Sequence, residues 1–150
     1  MTRILAVCLG NICRSPTAEA VIRDKAAARG ISVTVDGAGA GDWHIGDQPH
    51  PPAIHAAAAR GYDLSPLRAR QVTPADFEAF DLILAMDSRN TETLEAIRPR
   101  GNTTPVRLLL SYATGPKTEV PDPYFTGGFD EALDLIETAT DRLLDHLEQR

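Results

Sequence analysis

Two thiols and a guanidinium crowd one short bend near the start of this chain. In "VCLGNICRSPTAEA", residues 7–20, Cys8 ends an apolar run, Gly10 and Asn11 break it, and Cys13, Arg14, Ser15 and Pro16 lead into a helical pattern. A loop between a strand end and a helix start can turn its backbone N–H groups inward, forming a nest backed by the positive end of the helix dipole. Leu9, Gly10, Asn11, Ile12, Cys13 and Ser15 would make that cradle, and its natural guest is a tetrahedral anion. Arg14 adds a planar fork that holds two oxygens of such an anion bidentately, which lysine cannot do with the same geometry. Cys8 enters the loop from the strand, so its sulfur belongs at the cradle floor, where amides and the guanidinium favour thiolate over thiol. A thiolate facing a bound phosphoryl group is a nucleophile already in line.

The spacing C-x5-R says little alone, because the chain holds 13 arginines against 2 lysines. A buried structural cysteine followed by a helix-start arginine has the same spacing. The placement of the motif is the more informative feature. "RILAVC", residues 3–8, reads as a strand covered on both faces. Ser15 and Pro16 suit an N-cap and first helical residue, and Ala18, Val21, Ile22 and Ala26 then recur at helical spacing until Gly30. "ISVTVDGAG", from Ile31, alternates like a half-exposed edge strand.

The rest of the chain repeats this alternation. Residues 52–60 predict a second helix, Thr73-Pro74 opens a short third one burying Phe77 and Phe80, and "DLILAM" (81–86) is again a buried strand. A helix over 90–98 and a fourth strand in "PVRLLLSY", from Pro105, follow. Between Ser111 and Gly128 runs a segment rich in Pro and Gly, too long for a plain connector. A long amphipathic helix carrying Phe129, Leu133, Ile136, Leu143, Leu144 and Leu147 closes the chain. Strands alternating with helices imply an α/β fold, here a small doubly wound, flavodoxin-like four-stranded parallel sheet in the order 2-1-3-4 with helices on both faces. Ligands of such sheets sit beyond the carboxyl ends of the strands, where Cys8 lies.

Composition narrows the function. At 150 residues, with 43% hydrophobic and 24% charged residues, a single domain spanning 1–150 is expected. A formal charge of −6 and the lack of a basic stripe argue against nucleic acid. No apolar run approaches the ~20 residues of a membrane span, and "ILAVCL" is too short for a signal peptide, so a cytoplasmic protein without a membrane partner is expected. His44, His50 and His55 lie close in sequence but match no ligand spacing such as H-E-x-x-H, so neither a metal nor another cofactor is called for.

"VCLGNICRSP" resembles the phosphate-binding loop of the low-molecular-weight protein tyrosine phosphatases. The similarity continues in family order through "DWHIG" (42–46), "ARQVTPADFEAFDLILAMD" (69–87) and "PDPYF" (121–125). The resemblance implies Cys8 as nucleophile, Arg14 as phosphate and transition-state ligand, and Asp122 as general acid. It implies that Asn11 holds a left-handed turn, that Ser15 donates its hydroxyl to the Cys8 thiolate, and that Trp43 and Tyr124 wall the substrate cleft. It also suggests Cys13 as a redox partner that traps oxidised Cys8 as a disulfide, a chemistry open to a neighbouring thiol. On its own, Asp122 before Pro123 also fits an ordinary turn aspartate.

The implied substrate is a phosphotyrosine-containing protein or small aryl phosphate, releasing inorganic phosphate through a phosphocysteine intermediate. The chain departs from the family at His50 and Pro52, where the family carries Asp and Arg. In the family those residues help brace the loop serine, so weaker support of Ser15 is the expectation. Other readings stay open: a catalytically silent phosphate- or phosphopeptide-binding module, a phosphoarginine phosphatase, or an arsenate reductase on the same scaffold. Phosphoarginine phosphatases tend to carry Thr where this chain has Ile12, and arsenate reduction needs cysteines after Cys13, of which there are none.

Overall fold

A computed structural model describes residues 1–149. Its elements run β1 (Thr2–Cys8), α1 (Arg14–Arg29), β2 (Val33–Gly39), α2 (Pro51–Ala58), α3 (Asp76–Ala79), β3 (Leu82–Ala85), α4 (Ser88–Ile97) and β4 (Val106–Leu108). A 3-10 turn (Leu109–Tyr112), α5 (Pro123–Thr126) and α6 (Phe129–Glu148) complete it. The four strands are parallel and ordered β2-β1-β3-β4.

The period of two in β1 divides the core between the faces of the sheet. Ile4, Ala6 and Cys8 pack with Leu82 and Leu84 against a layer that includes Val21 and Ile22 of α1, Ala53 and Ala57 of α2, and Leu133, Ile136 and Leu143 of α6. Leu5 and Val7 point the other way with Ile83 and Ala85, onto Phe77 of α3 and Leu94 of α4. β1 and β3 are therefore apolar at every inward position, as a sheet covered twice requires.

β2 is an edge strand, starting at Val33 rather than Ile31, and its end, Gly37-Ala38-Gly39, is buried. Register pairs Ala6 with Gly37 and Cys8 with Gly39, which sets this small-residue stretch beside the end of β1.

Three local expectations are corrected. Ser15 is not the N-cap of α1; the helix starts at Arg14 with Cys13 in the cap position, and no side chain caps it. Phe80 is only half-buried, whereas Phe77 is fully buried. "PVRLLLSY" is strand only over Val106–Leu108, then tightens into the 3-10 turn, where Leu109 and Leu110 join the α6 layer. A short apolar run buries equally well either way, so periodicity does not separate the two. No helix among the described residues is long and apolar enough to cross a membrane.

Candidate active site

The bend after Cys8 wraps because its carbonyls face outward. Those of Cys8, Leu9 and Ile12 accept from the N–H groups of Ala40 (2.8 Å), Gly41 (2.9 Å) and His50 (2.8 Å), and that of Cys13 from Thr17 Oγ1 (2.7 Å). In a planar trans peptide the next N–H points opposite to the carbonyl, so Leu9, Gly10, Cys13 and Arg14 turn theirs inward. Asn11 makes the sharpest turn at φ 58°, the left-handed conformation asparagine tolerates best after glycine, and its own N–H reaches Cys8 Sγ at 3.3 Å.

The Asn11 side chain links the loop to its surroundings. Its Oδ1 accepts from Arg70 N–H (3.1 Å), which orients the amide so that Nδ2 donates to Ser15 Oγ at 2.6 Å. Ser15 Oγ stands 3.1 Å from Cys8 Sγ, and as an acceptor from Asn11 it can turn its own proton to the sulfur, with Ala38 O the other acceptor in reach. Support for Ser15 thus comes from within the loop, with Ala38 O as a distant third contact at 3.5 Å and no contribution from residues 50 or 52. His50 instead braces the loop through its backbone and sets its ring 5.0 Å from that of Tyr124. The departure from the family pattern leaves Ser15 braced.

Close packing against β2 makes this geometry. A Cβ on Gly37 would sit 2.9 Å from both Asn11 Nδ2 and Glu19 Oε1, and one on Gly39 would sit 3.0 Å from the carbonyl carbon of Gly10. Glycine at 39 lets the loop backbone come this close, and glycine at 37 leaves the Asn11 and Glu19 side chains where they are. The buried Glu19 carboxyl is raised above the ordinary range by burial, which its bond to Arg23 only partly offsets.

Arg14 is buried and held from outside the loop. Its Nη1 donates to Asp87 Oδ2 (2.6 Å) and to Val120 O (3.0 Å), and its Nη2 lies 3.4 Å from Asp122 Oδ2. Its Nε is buried without a partner among the described residues. The Nε/Nη2 edge, the two parallel N–H vectors a carboxylate or phosphate takes bidentately, is therefore the available one. Burial works against the charge of Arg14, but Cys8, Asp87 and Asp122 together outweigh it and hold the guanidinium above its ordinary range.

Asp87 is anchored in turn. It caps α4 by accepting from Asn90 N–H (2.9 Å) with Oδ1, leaving Oδ2 for Arg14. Neither Asp87 nor Arg70 is a candidate on sequence grounds, although each lies in a stretch quoted above; the capping pattern D-S-R-N after an apolar strand is the local signal for Asp87.

Asp122 is the N-cap of α5, where Oδ1 accepts from Tyr124 N–H (3.1 Å) while Oδ2 faces Arg14. The turn role and a place at the site coexist in one side chain. Cys13 is buried and unbonded to Cys8; burial, reinforced by Cys8 and Asp122, pushes its thiol up to about 12.

Above the sulfur opens a cleft of about 240 Å³ lined by Cys8, the loop, Trp43, His44, Asp122, Tyr124 and Phe125. Trp43 and Tyr124, the expected walls, are 67% and 47% exposed, and Phe125 is 73% exposed. Trp43 packs so closely on Gly41 that a Cβ there would overlap its ring, and His44 packs likewise on Gly10. His44 is a cleft residue that sequence reasoning weighed only as a metal ligand. Among the described residues no group of three or more His, Cys, Asp or Glu side chains could hold a metal ion.

A thiol beneath converging donors, on the carboxyl edge of a doubly wound sheet, defines a protein able to hold a tetrahedral anion against sulfur. The sequence model of the low molecular weight phosphotyrosine protein phosphatases matches residues 3–150, and the chain belongs to that family of enzymes. The low molecular weight protein-tyrosine-phosphatase YfkJ of Bacillus subtilis is 43% identical over 147 residues, covering 96% of this chain and 94% of its own. A crystal structure of YfkJ from Bacillus subtilis superposes with a TM-score of 0.95 at 41% identity, covering 99% of this chain and 96% of that one. Vibrio vulnificus Wzb in complex with benzylphosphonate gives 0.85 at 32% identity, covering 97% and 98%.

Proposed function

We propose that the protein hydrolyses phosphotyrosine and related aryl phosphate esters through a phosphocysteine on Cys8, with Asp122 as acid and then base. The observation that carries this reading is the convergence on Cys8 Sγ of the Asn11 N–H and the Ser15 hydroxyl, at the floor of a cleft walled by aromatic rings. Both donors aim at the sulfur that attacks phosphorus.

In the first step the Cys8 sulfur bonds to phosphorus as the bond to the aryl oxygen breaks, and Asp122 gives its proton to the departing phenolate. The equatorial oxygens lie on the loop N–H groups and on the Nε/Nη2 edge of Arg14, which stabilise the charge of the transition state without moving. In the second step water attacks phosphorus, the Asp122 carboxylate takes its proton, the S–P bond breaks, and inorganic phosphate leaves with the Cys8 thiolate restored. The aromatic rim supports an aryl ester as substrate, since the rings of Trp43 and Tyr124 can face another ring. The benzylphosphonate complex of the Vibrio vulnificus relative is in keeping with such a ligand. With both cysteines of the chain inside the loop, no third thiol is at hand to relay a disulfide for arsenate reduction.

Hydrolysis of p-nitrophenyl phosphate tests the proposal. The expected activity is sensitive to vanadate, unaffected by EDTA, and abolished in Cys8→Ser; robust turnover by Cys8→Ser would overturn the reading.

A further inference from the structure

A second groove, of about 270 Å³, adjoins the catalytic cleft across Leu9, Asp122 and Phe125, which line both. Asp87, Arg89, Asn90 and Glu119 form its far side, with the buried Arg14 beneath. A peptide whose phosphotyrosine ring fills the cleft must leave over this rim, and at ~3.3 Å per extended residue its immediate neighbours reach the groove.

The charged groups of the groove differ in what they still have to offer. Asp87 is engaged by Asn90 N–H and Arg14, while Asp122 faces Arg14 and Tyr124 N–H and serves the proton transfers of the reaction. Glu119 accepts from both the backbone N–H (2.8 Å) and the hydroxyl of Ser88. Arg89 is exposed on the first turn of α4, and among the described residues no carboxylate or other acceptor engages its guanidinium. In a chain of formal charge −6, with three carboxylates lining this groove, an unpaired arginine at the same place supplies the one uncommitted ionic donor.

We propose that Arg89 sets substrate preference by binding the carboxylate of an acidic residue next to the phosphotyrosine in a protein substrate. The inference rests on the phosphotyrosine reading above and adds a substrate class to it. A small aryl phosphate ends at the cleft and does not reach Arg89.

The test compares kcat/KM for matched phosphotyrosine peptides that carry Glu or Gln beside the phosphotyrosine, on either side, with p-nitrophenyl phosphate as reference. For the wild type a Glu preference of roughly three- to five-fold at low salt is expected, the scale of an exposed ion pair, and salt at about 1 M should erase it. Arg89→Ala should bring the ratio to about one and Arg89→Glu should invert it, while kcat/KM for p-nitrophenyl phosphate holds. Arg100→Glu makes the same charge change in a different groove, beside Arg3 and Asp81, and should leave the peptide ratio at the wild-type value.

A wild-type ratio of one, a Glu/Gln ratio indifferent to Arg89, or a preference for Gln would overturn the proposal while hydrolysis itself continues. Failure of the phosphatase reading looks different: neither peptide nor p-nitrophenyl phosphate is then turned over in a Cys8-dependent way.

Discussion

At the scale of single residues, the site is a set of donors whose direction is decided by second partners. Ser15 can serve the Cys8 sulfur because Asn11 occupies its lone pair, and Asn11 is aimed by the Arg70 N–H. Arg14 offers one edge because Asp87 and Val120 O hold Nη1. Removing Asp87 should therefore damage catalysis from a residue that meets no substrate. Asp87→Ala is expected to raise KM for p-nitrophenyl phosphate and lower kcat, with about ten- to a hundred-fold lost in kcat/KM, the range for a hydrogen bond to a charged group. Steady-state kinetics check this, and unchanged constants would remove the tether. The gathering of Cys8, Asn11 and Arg14 on one loop was legible in the sequence because they are neighbours in it, although the partners that hold Asn11 and Arg14 lie outside it. Asp87 was not, since its partner lies 73 positions away and local pattern shows only a helix cap. Ser15 was misread as a cap for a related reason: its hydroxyl suits a helix start, but the thiol seven residues earlier takes it.

At the scale of elements, the cradle depends on what β2 lacks. The Gly37-Ala38-Gly39 end of the edge strand is where the loop rests, and a side chain at either glycine would meet it. Gly37→Ala should push Asn11 Nδ2 away from Ser15 and lower kcat about ten-fold or more, while the strand itself loses nothing in intrinsic preference. A kcat equal to the wild type would show that the contact yields without consequence. In the sequence, "ISVTVDGAG" reads as a half-exposed edge strand from its alternation at Ile31, Val33 and Val35, and the small residues after them carry no pattern that says what lies on them. The order of the four strands and of α1 to α4 and α6 was legible from continuous apolar runs, helical spacing and helix-start residues, whereas α5 lies inside the Pro- and Gly-rich segment, where no such pattern marks it. The fourth strand was cut to Val106–Leu108 because Leu109 and Leu110 bury against α6 from a 3-10 turn.

For the whole molecule, the two-faced core places β1 at the centre, with Cys8 at its carboxyl end and beneath the cleft. Burying the loop has a thermodynamic consequence through Cys13. Its thiol is raised by burial from an ordinary value of 9.0 to about 12, so the folded state holds the proton more tightly than the unfolded chain does. The corresponding stability is fully present below about pH 9 and is lost as pH rises towards 12, at up to about 1.4 kcal/mol per unit. Tyr62, whose hydroxyl donates to Glu137 at 2.7 Å, is raised as well, first by burial and then by that bond, and adds to the same alkaline loss. Denaturant unfolding between pH 8 and 11 should show a shallower decline for Cys13→Ala than for the wild type. Parallel curves would mean that Cys13 titrates alike in both states.

The central claim, that phosphorus passes through the Cys8 sulfur, is tested most directly by trapping the intermediate. Asp122→Ala lacks the base for the second step, so acid quenching during its turnover of p-nitrophenyl phosphate, followed by peptide mass spectrometry, should find one phosphoryl group on Cys8. A phosphoryl group on another residue, or none at all while phosphate is still released, would contradict it.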